Sequence, residues 1–178
     1  AQILVKFEAL NVGGSIKTRT AYNMILQAER RGEIAPGKTT IIEPTSGNQG
    51  IGLALVGAVR GYDVRIIMPD SVSVERRKIC EAYGAQIELV HDDGDIGKAI
   101  ETCAELAREQ AAADPNAFMP DQFSNVDNVA IQRTQTAVEI LEDASESGIV
   151  IDGFACGFGT GGSISGIGSA LKQANPDT

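Results

Sequence analysis

The segment TTIIEPTSGNQGIGLALVGAVRG, residues 39–61, joins a β-branched run, a polar turn and a glycine-containing apolar run. Residues 39–43 predict a buried strand, because β-branched side chains fit a pleated surface. The turn-rich stretch 44–50 ends this strand, and residues 51–59 predict a helix that Gly61 terminates. A strand that leads directly into a helix is the first half of a unit in which helices connect parallel strands.

The same alternation of strands and helices continues in both directions from this segment. Short apolar runs predict further strands at residues 3–7, 64–68, 86–90, 117–119 and 149–155. Helices are predicted at residues 15–31, with Ser15 as the N-cap, and at 73–83, 95–112, 127–144 and 164–172. The pattern indicates an α/β fold with mostly parallel strands, in which ligands bind at the carboxyl ends of the strands.

Composition and charge argue against several classes of function. Fifteen basic and 24 acidic residues give a net charge of −9 over 178 residues, which disfavours nucleic acid and anionic membranes as partners. The longest apolar stretches are too short to span a bilayer. Three cysteines without close pairing indicate reduced thiols in a cytoplasmic protein. The single histidine, His91, argues against a hydrolase triad, and its acidic loop lacks calcium-site spacing, so no metal is expected.

The loop GGSIK, residues 13–17, precedes a predicted helix and places Lys17 in the first turn. The positive end of the helix dipole disfavours a protonated ammonium there, so we expect a lowered pKa for Lys17. A lysine with a lowered pKa is what Schiff-base chemistry requires. The alternative is an ordinary solvated surface lysine.

Two further loops suit anions, because each contains hydroxyls or glycines at the opening of a predicted helix. The loop PTSGNQG, residues 44–50, suits a carboxylate or phosphate, and the alternative is a capped turn that binds nothing. The loop GFGTGGS, residues 157–163, suits a phosphate and also has the G-x-G-x-x-G spacing of dinucleotide sites. No strand precedes Asp177, the acidic residue at the required distance, so we disfavour the dinucleotide. Cys156, next to this loop, is expected to be buried or to line a pocket.

Taken together, the three loops resemble the cysteine synthase / cystathionine beta-synthase family of fold-type II enzymes, which depend on pyridoxal 5'-phosphate (PLP). The runs TTIIEPTSGNQGIGLA at 39–54 and MPDSVSVERRK at 68–78 carry the resemblance, which covers essentially the whole chain. It implies parallel sheets flanked by helices in two domains. Residues 1–10 belong to the larger domain, 11–121 to a smaller mobile domain, and 122–178 to the start of the larger, PLP-phosphate-binding domain. The chain is expected to be a fragment in which the larger domain is incomplete.

The resemblance also implies a role for each candidate residue. Lys17 would form the Schiff base with PLP and carry the α-proton, and Asn48 would hydrogen-bond the phenolic oxygen of the cofactor. The residues implied to hold the substrate carboxylate are Thr45, Ser46, Gln49 and Gln122. The residues implied to bind the cofactor phosphate are Gly159, Thr160, Gly161, Gly162 and Ser163.

The implied activity is β-replacement on an O-activated serine-type amino acid, through an aminoacrylate intermediate, as in a cysteine synthase. Gln49 stands where the family commonly has Thr, which leaves β-elimination open as the alternative, in the manner of a serine/threonine dehydratase or a cysteine desulfhydrase. A binding module without catalysis is a further alternative, against which the presence of Lys17 counts. The resemblance implies a homodimer that acts on a small amino acid.

Overall fold

The structure is a computed structural model that describes residues 2–178. Its strands are β1 (Thr40–Pro44), β2 (Asp63–Pro69), β3 (Gln86–Val90) and β4 (Ala117–Phe118). Its α-helices are α1 (Lys17–Arg30), α2 (Asn48–Arg60), α3 (Val74–Ala82), α4 (Ile96–Ala113), α5 (Val126–Ile131), α6 (Ala137–Glu146) and α7 (Gly162–Ala174). A 3-10 turn at Glu8–Leu10 precedes α1, and a π-helical segment at Gln132–Thr136 connects α5 to α6.

The chain folds as two compact units. One unit is Glu8–Asp121, which contains the whole sheet and α1 to α4. The other unites residues 2–7 with Gln122–Thr178 and contains α5 to α7. The assignment of these parts to a larger and a smaller, mobile domain stays a prediction.

The sheet of the first unit has the strand order β3-β2-β1-β4, and all its neighbouring strands are parallel. Successive side chains of a strand point to opposite faces. Ile41 and Ile66 therefore pack with the core that includes α1 and α2, whereas the next residues, Ile42 and Ile67, pack with α4. Helices cover both faces of a parallel sheet, which confirms the predicted α/β class.

The second unit is helical. Ala137 of α6 and Ile167 and Leu171 of α7 form its buried cluster. Gly166 allows α7 to pass close to the preceding helices, because a Cβ there would lie 2.5 Å from the backbone oxygen of Val129. Among residues 2–178, no helix combines the length and the apolar character that a membrane crossing requires.

Two predicted strands are wrong. Residues 3–7 and 149–155 have no strand conformation, and their large side chains include Ile3 at 87%, Val5 at 77% and Val150 at 73% exposure. A strand needs a neighbouring strand with which to exchange backbone hydrogen bonds. No strand lies in residues 2–7 or Gln122–Thr178, so the described part of this unit offers no such partner. The structure accordingly has one parallel sheet where the prediction has several.

The other elements agree with their predicted positions, with small shifts at the ends. Helix α2 begins at Asn48, three residues before the predicted start, so part of the predicted turn is helical. Helix α7 begins at Gly162, two residues early. The predicted helix at 127–144 is interrupted by the π-helical segment, a local widening of the helix that sequence periodicity does not indicate.

Candidate active site

The PTSGNQG turn lies at the carboxyl end of β1 and leads into α2. Thr45 anchors its start, because its backbone N–H donates to the Ile67 carbonyl of β2 at 3.0 Å. The Thr45 hydroxyl accepts a hydrogen bond from the Gly47 N–H at 3.3 Å, and the Gly50 N–H donates to the Gly47 carbonyl at 3.1 Å. The turn is thus held by its own side chain and by the neighbouring strand.

An arginine that is not among the predicted site residues also contacts this turn. Arg76, in α3, donates from its guanidinium to the Ser46 carbonyl at 3.2 Å. The contact places a positive charge beside the turn expected to hold a carboxylate. The signal available in the sequence was the basic cluster Arg76, Arg77 and Lys78 at the end of the run MPDSVSVERRK.

Lys17 is the first residue of α1, and its side chain is half-buried. Its backbone N–H donates to the Ser15 hydroxyl at 3.2 Å. The predicted N-cap at Ser15 is nevertheless wrong, because α1 begins later and Ile16, which makes no side-chain cap, occupies the N-cap position. Burial removes water from the ammonium and lowers the pKa of Lys17 below its ordinary value. The predicted direction is confirmed, and its cause is desolvation where the sequence indicated the helix dipole. Within Glu8–Asp121, the Lys17 Nζ has no hydrogen-bond or ion-pair partner.

A glycine in α2 brings Lys17 to the PTSGNQG turn. A Cβ on Gly52 would lie 2.8 Å from the Lys17 backbone oxygen and 3.0 Å from the Ala21 Cβ. Only a residue without a side chain allows α1 and α2 to approach this closely. Gly52 lies about one helical turn after Asn48, the first residue of α2, so the start of α1 lies beside the start of α2.

Gln49, the second residue of α2, is buried with 1% of its surface exposed. Neither its Nε2 nor its Oε1 has a hydrogen-bond partner in the part of the chain that the structure describes. Buried polar atoms are nearly always hydrogen-bonded, and each one left unpaired costs about 1–3 kcal/mol. This amide can therefore gain from a polar ligand at the turn.

The glycine-rich loop of the second unit leads into α7. Gly161 has φ +80°, which a residue with a side chain rarely adopts, and α7 begins at the next residue. The first backbone N–H groups of a helix have no acceptor within the helix and carry partial positive charge. A Cβ on Gly159 would meet nothing within 4 Å, so the loop is open to a ligand at that point.

Gln122 lies in the same unit as the glycine-rich loop and is 8% exposed. Its backbone carbonyl accepts a hydrogen bond from the Asn128 Nδ2 at 2.8 Å, and the same nitrogen donates to the Thr160 hydroxyl at 2.9 Å. Asn128 is not among the site residues predicted from the sequence. The available signal was an asparagine inside a predicted helix, where the residue is unfavourable unless its amide has a specific partner.

The candidate residues thus fall into two groups. The first unit brings together Lys17 and the turn residues Thr45, Ser46, Asn48 and Gln49. The second unit holds Gln122 and the glycine-rich loop. Their roles toward cofactor and substrate stay predictions.

The remaining candidates carry no site. In the described residues no group of three metal-binding side chains could hold a metal ion, and His91 pairs with Asp70 at 2.8 Å on the surface. Burial raises the pKa of Cys80 and of Cys103 to about 11, as expected for packing residues. Cys156 is exposed, so of its two predicted environments burial is wrong, while a place in the lining of a pocket stays a prediction. The stretch before it, expected to be a buried strand, is largely exposed.

The model of a family described as "Pyridoxal-phosphate dependent enzyme" matches residues 1–178. The chain belongs to this family. A cysteine synthase from Flavobacterium sp. is 49% identical over 176 residues, which cover 99% of this chain and 55% of that protein. The PLP-dependent family assignment confirms the predicted resemblance and the predicted cofactor.

Solved structures of the PLP-dependent family have the same fold. A hydrogen sulfide-producing enzyme from Fusobacterium nucleatum is 43% identical with a TM-score of 0.86, over 97% of this chain and 54% of that one. An O-ureido-L-serine synthase variant with O-ureido-L-serine bound is 41% identical with a TM-score of 0.87, over 97% and 51%. The chain therefore spans about half the length of the relatives it matches.

Each unit contains residues with chemistry that PLP requires. The phosphate requires N–H and O–H donors, which the start of α7 and the Thr160 hydroxyl can provide. The cofactor aldehyde requires a lysine that can lose its proton, which the desolvation of Lys17 favours. Asn48, at the start of α2, has an amide that could hydrogen-bond the phenolic oxygen, and the unpaired amide of Gln49 suits a bound amino acid.

Proposed function

We propose that this protein catalyses β-replacement on an O-activated serine-type amino acid, as a cysteine synthase does. The observation that carries the proposal is that Lys17 is half-buried, has no side-chain partner in its own unit, and lies at the start of α1, which packs against the helix that the PTSGNQG turn opens. PLP, when bound, supplies the electron sink that makes the α-proton of an amino acid removable. The residues of the chain supply binding, orientation and proton transfer.

Thr45, Ser46 and Gln49 would bind the substrate carboxylate, with Gln122 assisting. Backbone N–H groups at the start of a helix favour an anion, and the Gln49 amide has no competing partner in the described chain. The Arg76 guanidinium on the Ser46 carbonyl would hold the turn in place. Binding at this turn would orient the α-carbon of the substrate toward Lys17.

Lys17 would accept the α-proton at Nζ. This step requires the neutral amine, and burial favours that form because it disfavours the ammonium. Loss of the β-substituent would follow, and a second nucleophile would then add at the β-carbon. The relatives named cysteine synthase and O-ureido-L-serine synthase support β-replacement.

The first test is the location of the cofactor on the full-length protein. After incubation with PLP and reduction with borohydride, peptide mass analysis should find one phosphopyridoxyl adduct, on Lys17. An adduct on another lysine, with Lys17 unmodified, would contradict the role of Lys17. The absence of any adduct on the folded protein would contradict the enzymatic function and favour a binding module.

The second test separates replacement from elimination. O-acetylserine is supplied with and without sulfide, and cysteine and pyruvate are measured. Replacement predicts cysteine with sulfide and little pyruvate without it. Elimination is favoured as the second candidate by the similarity to a hydrogen sulfide-producing enzyme, and it predicts rapid pyruvate release regardless of sulfide.

The assembly that the resemblance implies and the location that the reduced cysteines indicate belong to the same proposal. A homodimer in the cytoplasm is expected, and light scattering on the full-length protein would measure twice the mass of one chain. The assignment of residues 11–121 to a smaller domain that moves during catalysis is likewise proposed. Faster proteolysis of this part without substrate than with it would be the expected sign.

A further inference from the structure

Asn128, in α5, joins two parts of the second unit through one buried amide. Its side chain is 2% exposed. The Nδ2 donates to the Gln122 backbone carbonyl at 2.8 Å and to the Thr160 hydroxyl at 2.9 Å. One nitrogen therefore connects the segment proposed to assist with the substrate carboxylate to the loop proposed to hold the cofactor phosphate.

The orientation of this amide is determined by its partners. A backbone carbonyl only accepts hydrogen bonds, so the nitrogen of Asn128 faces Gln122. The second hydrogen of the same nitrogen points to Thr160, whose oxygen must accept it. Gly162 makes room for the arrangement, because a Cβ there would lie 2.4 Å from the Asn128 Oδ1.

The contact determines what the Thr160 hydroxyl can do. A hydroxyl accepts at two lone pairs and donates one hydrogen. Its oxygen accepts from the Asn128 Nδ2 and from the Gly162 N–H, the latter at 3.4 Å. Its hydrogen has no acceptor within Gln122–Thr178. The hydroxyl is thus left as a donor at the start of α7, where donors favour an anion.

We propose that Asn128 is a positioning residue for cofactor binding, which holds the Thr160 hydroxyl as a donor to the PLP phosphate. It acts through Thr160 and does not contact the cofactor itself. The inference rests on the proposed function, because PLP is the anion-bearing ligand. It assigns to α5 a role in binding that the sequence motifs did not indicate.

The test uses the full-length protein freed of cofactor and measures the Kd of PLP and of pyridoxal, which lacks the phosphate. For N128A we expect PLP binding to weaken about tenfold, the loss of one hydrogen bond to a charged group, with the Kd of pyridoxal unchanged. T160V should weaken PLP binding by at least as much. The double variant should be no weaker than T160V, because residues that act through one another are not additive.

The matched control is N125A in the same helix. The Asn125 side chain caps α5 by accepting from the Asp127 N–H at 2.9 Å, so its loss should lower the thermal stability without changing the Kd of PLP.

If N128A lowers only the thermal stability, or weakens the binding of PLP and of pyridoxal equally, Asn128 is merely structural and the inference is overturned. Should N128A not fold, N128L fills the space, lacks the donor without adding a charge, and carries the same expectations. A wild-type protein that binds no PLP would overturn the proposed function, and with it this inference.

Discussion

At the scale of single residues, Gln49 is a polar side chain in a buried position. Its amide is buried and unpaired in the described chain, so Q49L should stabilise the protein without substrate by about 1 kcal/mol in urea unfolding. The same change should raise the KM of the amino acid about tenfold, because a bound carboxylate would lose its amide partner. Both effects together would indicate a side chain kept for binding.

Gln110 provides the matched control for this prediction. Its amide accepts from Arg65 and donates to Glu88, both at 2.8 Å. Q110L should therefore destabilise the protein by about 1–2 kcal/mol, since two bonded groups lose their partner. If Q49L destabilises as much as Q110L, the Gln49 amide is paired in solution and its proposed role fails.

The lowered pKa of Lys17 predicts that the free energy of unfolding depends on pH. Its pKa is lower in the folded state than in the unfolded state, so between the two values the unfolded chain binds more protons. Stability should rise with pH through that window, which lies below the ordinary pKa of lysine. In urea unfolding without PLP, the free energy of unfolding of the wild type should therefore increase relative to that of K17M as the pH rises into the alkaline range. The control is K38M, because Lys38 is exposed. If the free energy of unfolding depends on pH in the same way in the wild type and in K17M, the lowered pKa of Lys17 is contradicted.

The sequence indicated these residues to different degrees. Lys17 could be singled out because a glycine-rich loop before a helix is a local pattern. The burial of Gln49 and the two contacts of Asn128 depend on segments far apart in the chain, such as Asn128 and Thr160. No local pattern reveals whether a polar side chain finds its partner, so these properties required the structure.

Among helices and strands, the close contact of α1 with α2 positions the proposed site. G52A would place a methyl group 2.8 Å from the Lys17 backbone oxygen, and the helices would have to separate. We expect a loss of about 1–3 kcal/mol in the free energy of unfolding, and a fall in kcat because the reacting amine moves.

Gly168 of α7 is the control, because a Cβ there meets nothing within 4 Å. G168A should stabilise the protein by about 0.5–1 kcal/mol, the usual gain of alanine over glycine in a helix. Equal effects of G52A and G168A on unfolding and on kcat would show that the close approach of α1 and α2 is unimportant.

Elements that depend on local signals were predicted well, and those that depend on distant partners were not. The strands β1 and β2 combine β-branched, buried runs with turns on either side. Strand β3 has the same apolar pattern, although its residues are exposed or only partly buried. The helices between these strands end at or just before a glycine. Residues 3–7 and 149–155 carry the same apolar signal, yet they are not strands in the structure. An apolar run shows what a segment can bury, whereas strand pairing needs a second segment that the run does not specify.

For the molecule as a whole, the two units differ in how completely they bury their apolar residues. Glu8–Asp121 contains the entire sheet and two buried clusters, and its length is that of an ordinary domain. We therefore expect a fragment of residues 8–121 to unfold cooperatively in urea. Gln122–Thr178 is much shorter and exposes Phe123, Val126, Val150 and Phe158. We expect this part alone to bind a hydrophobic dye and to lack a cooperative transition, because so small a core does not offset the entropy of ordering the chain. A fragment 8–121 that binds the dye and unfolds gradually would show instead that the sheet depends on the rest of the protein.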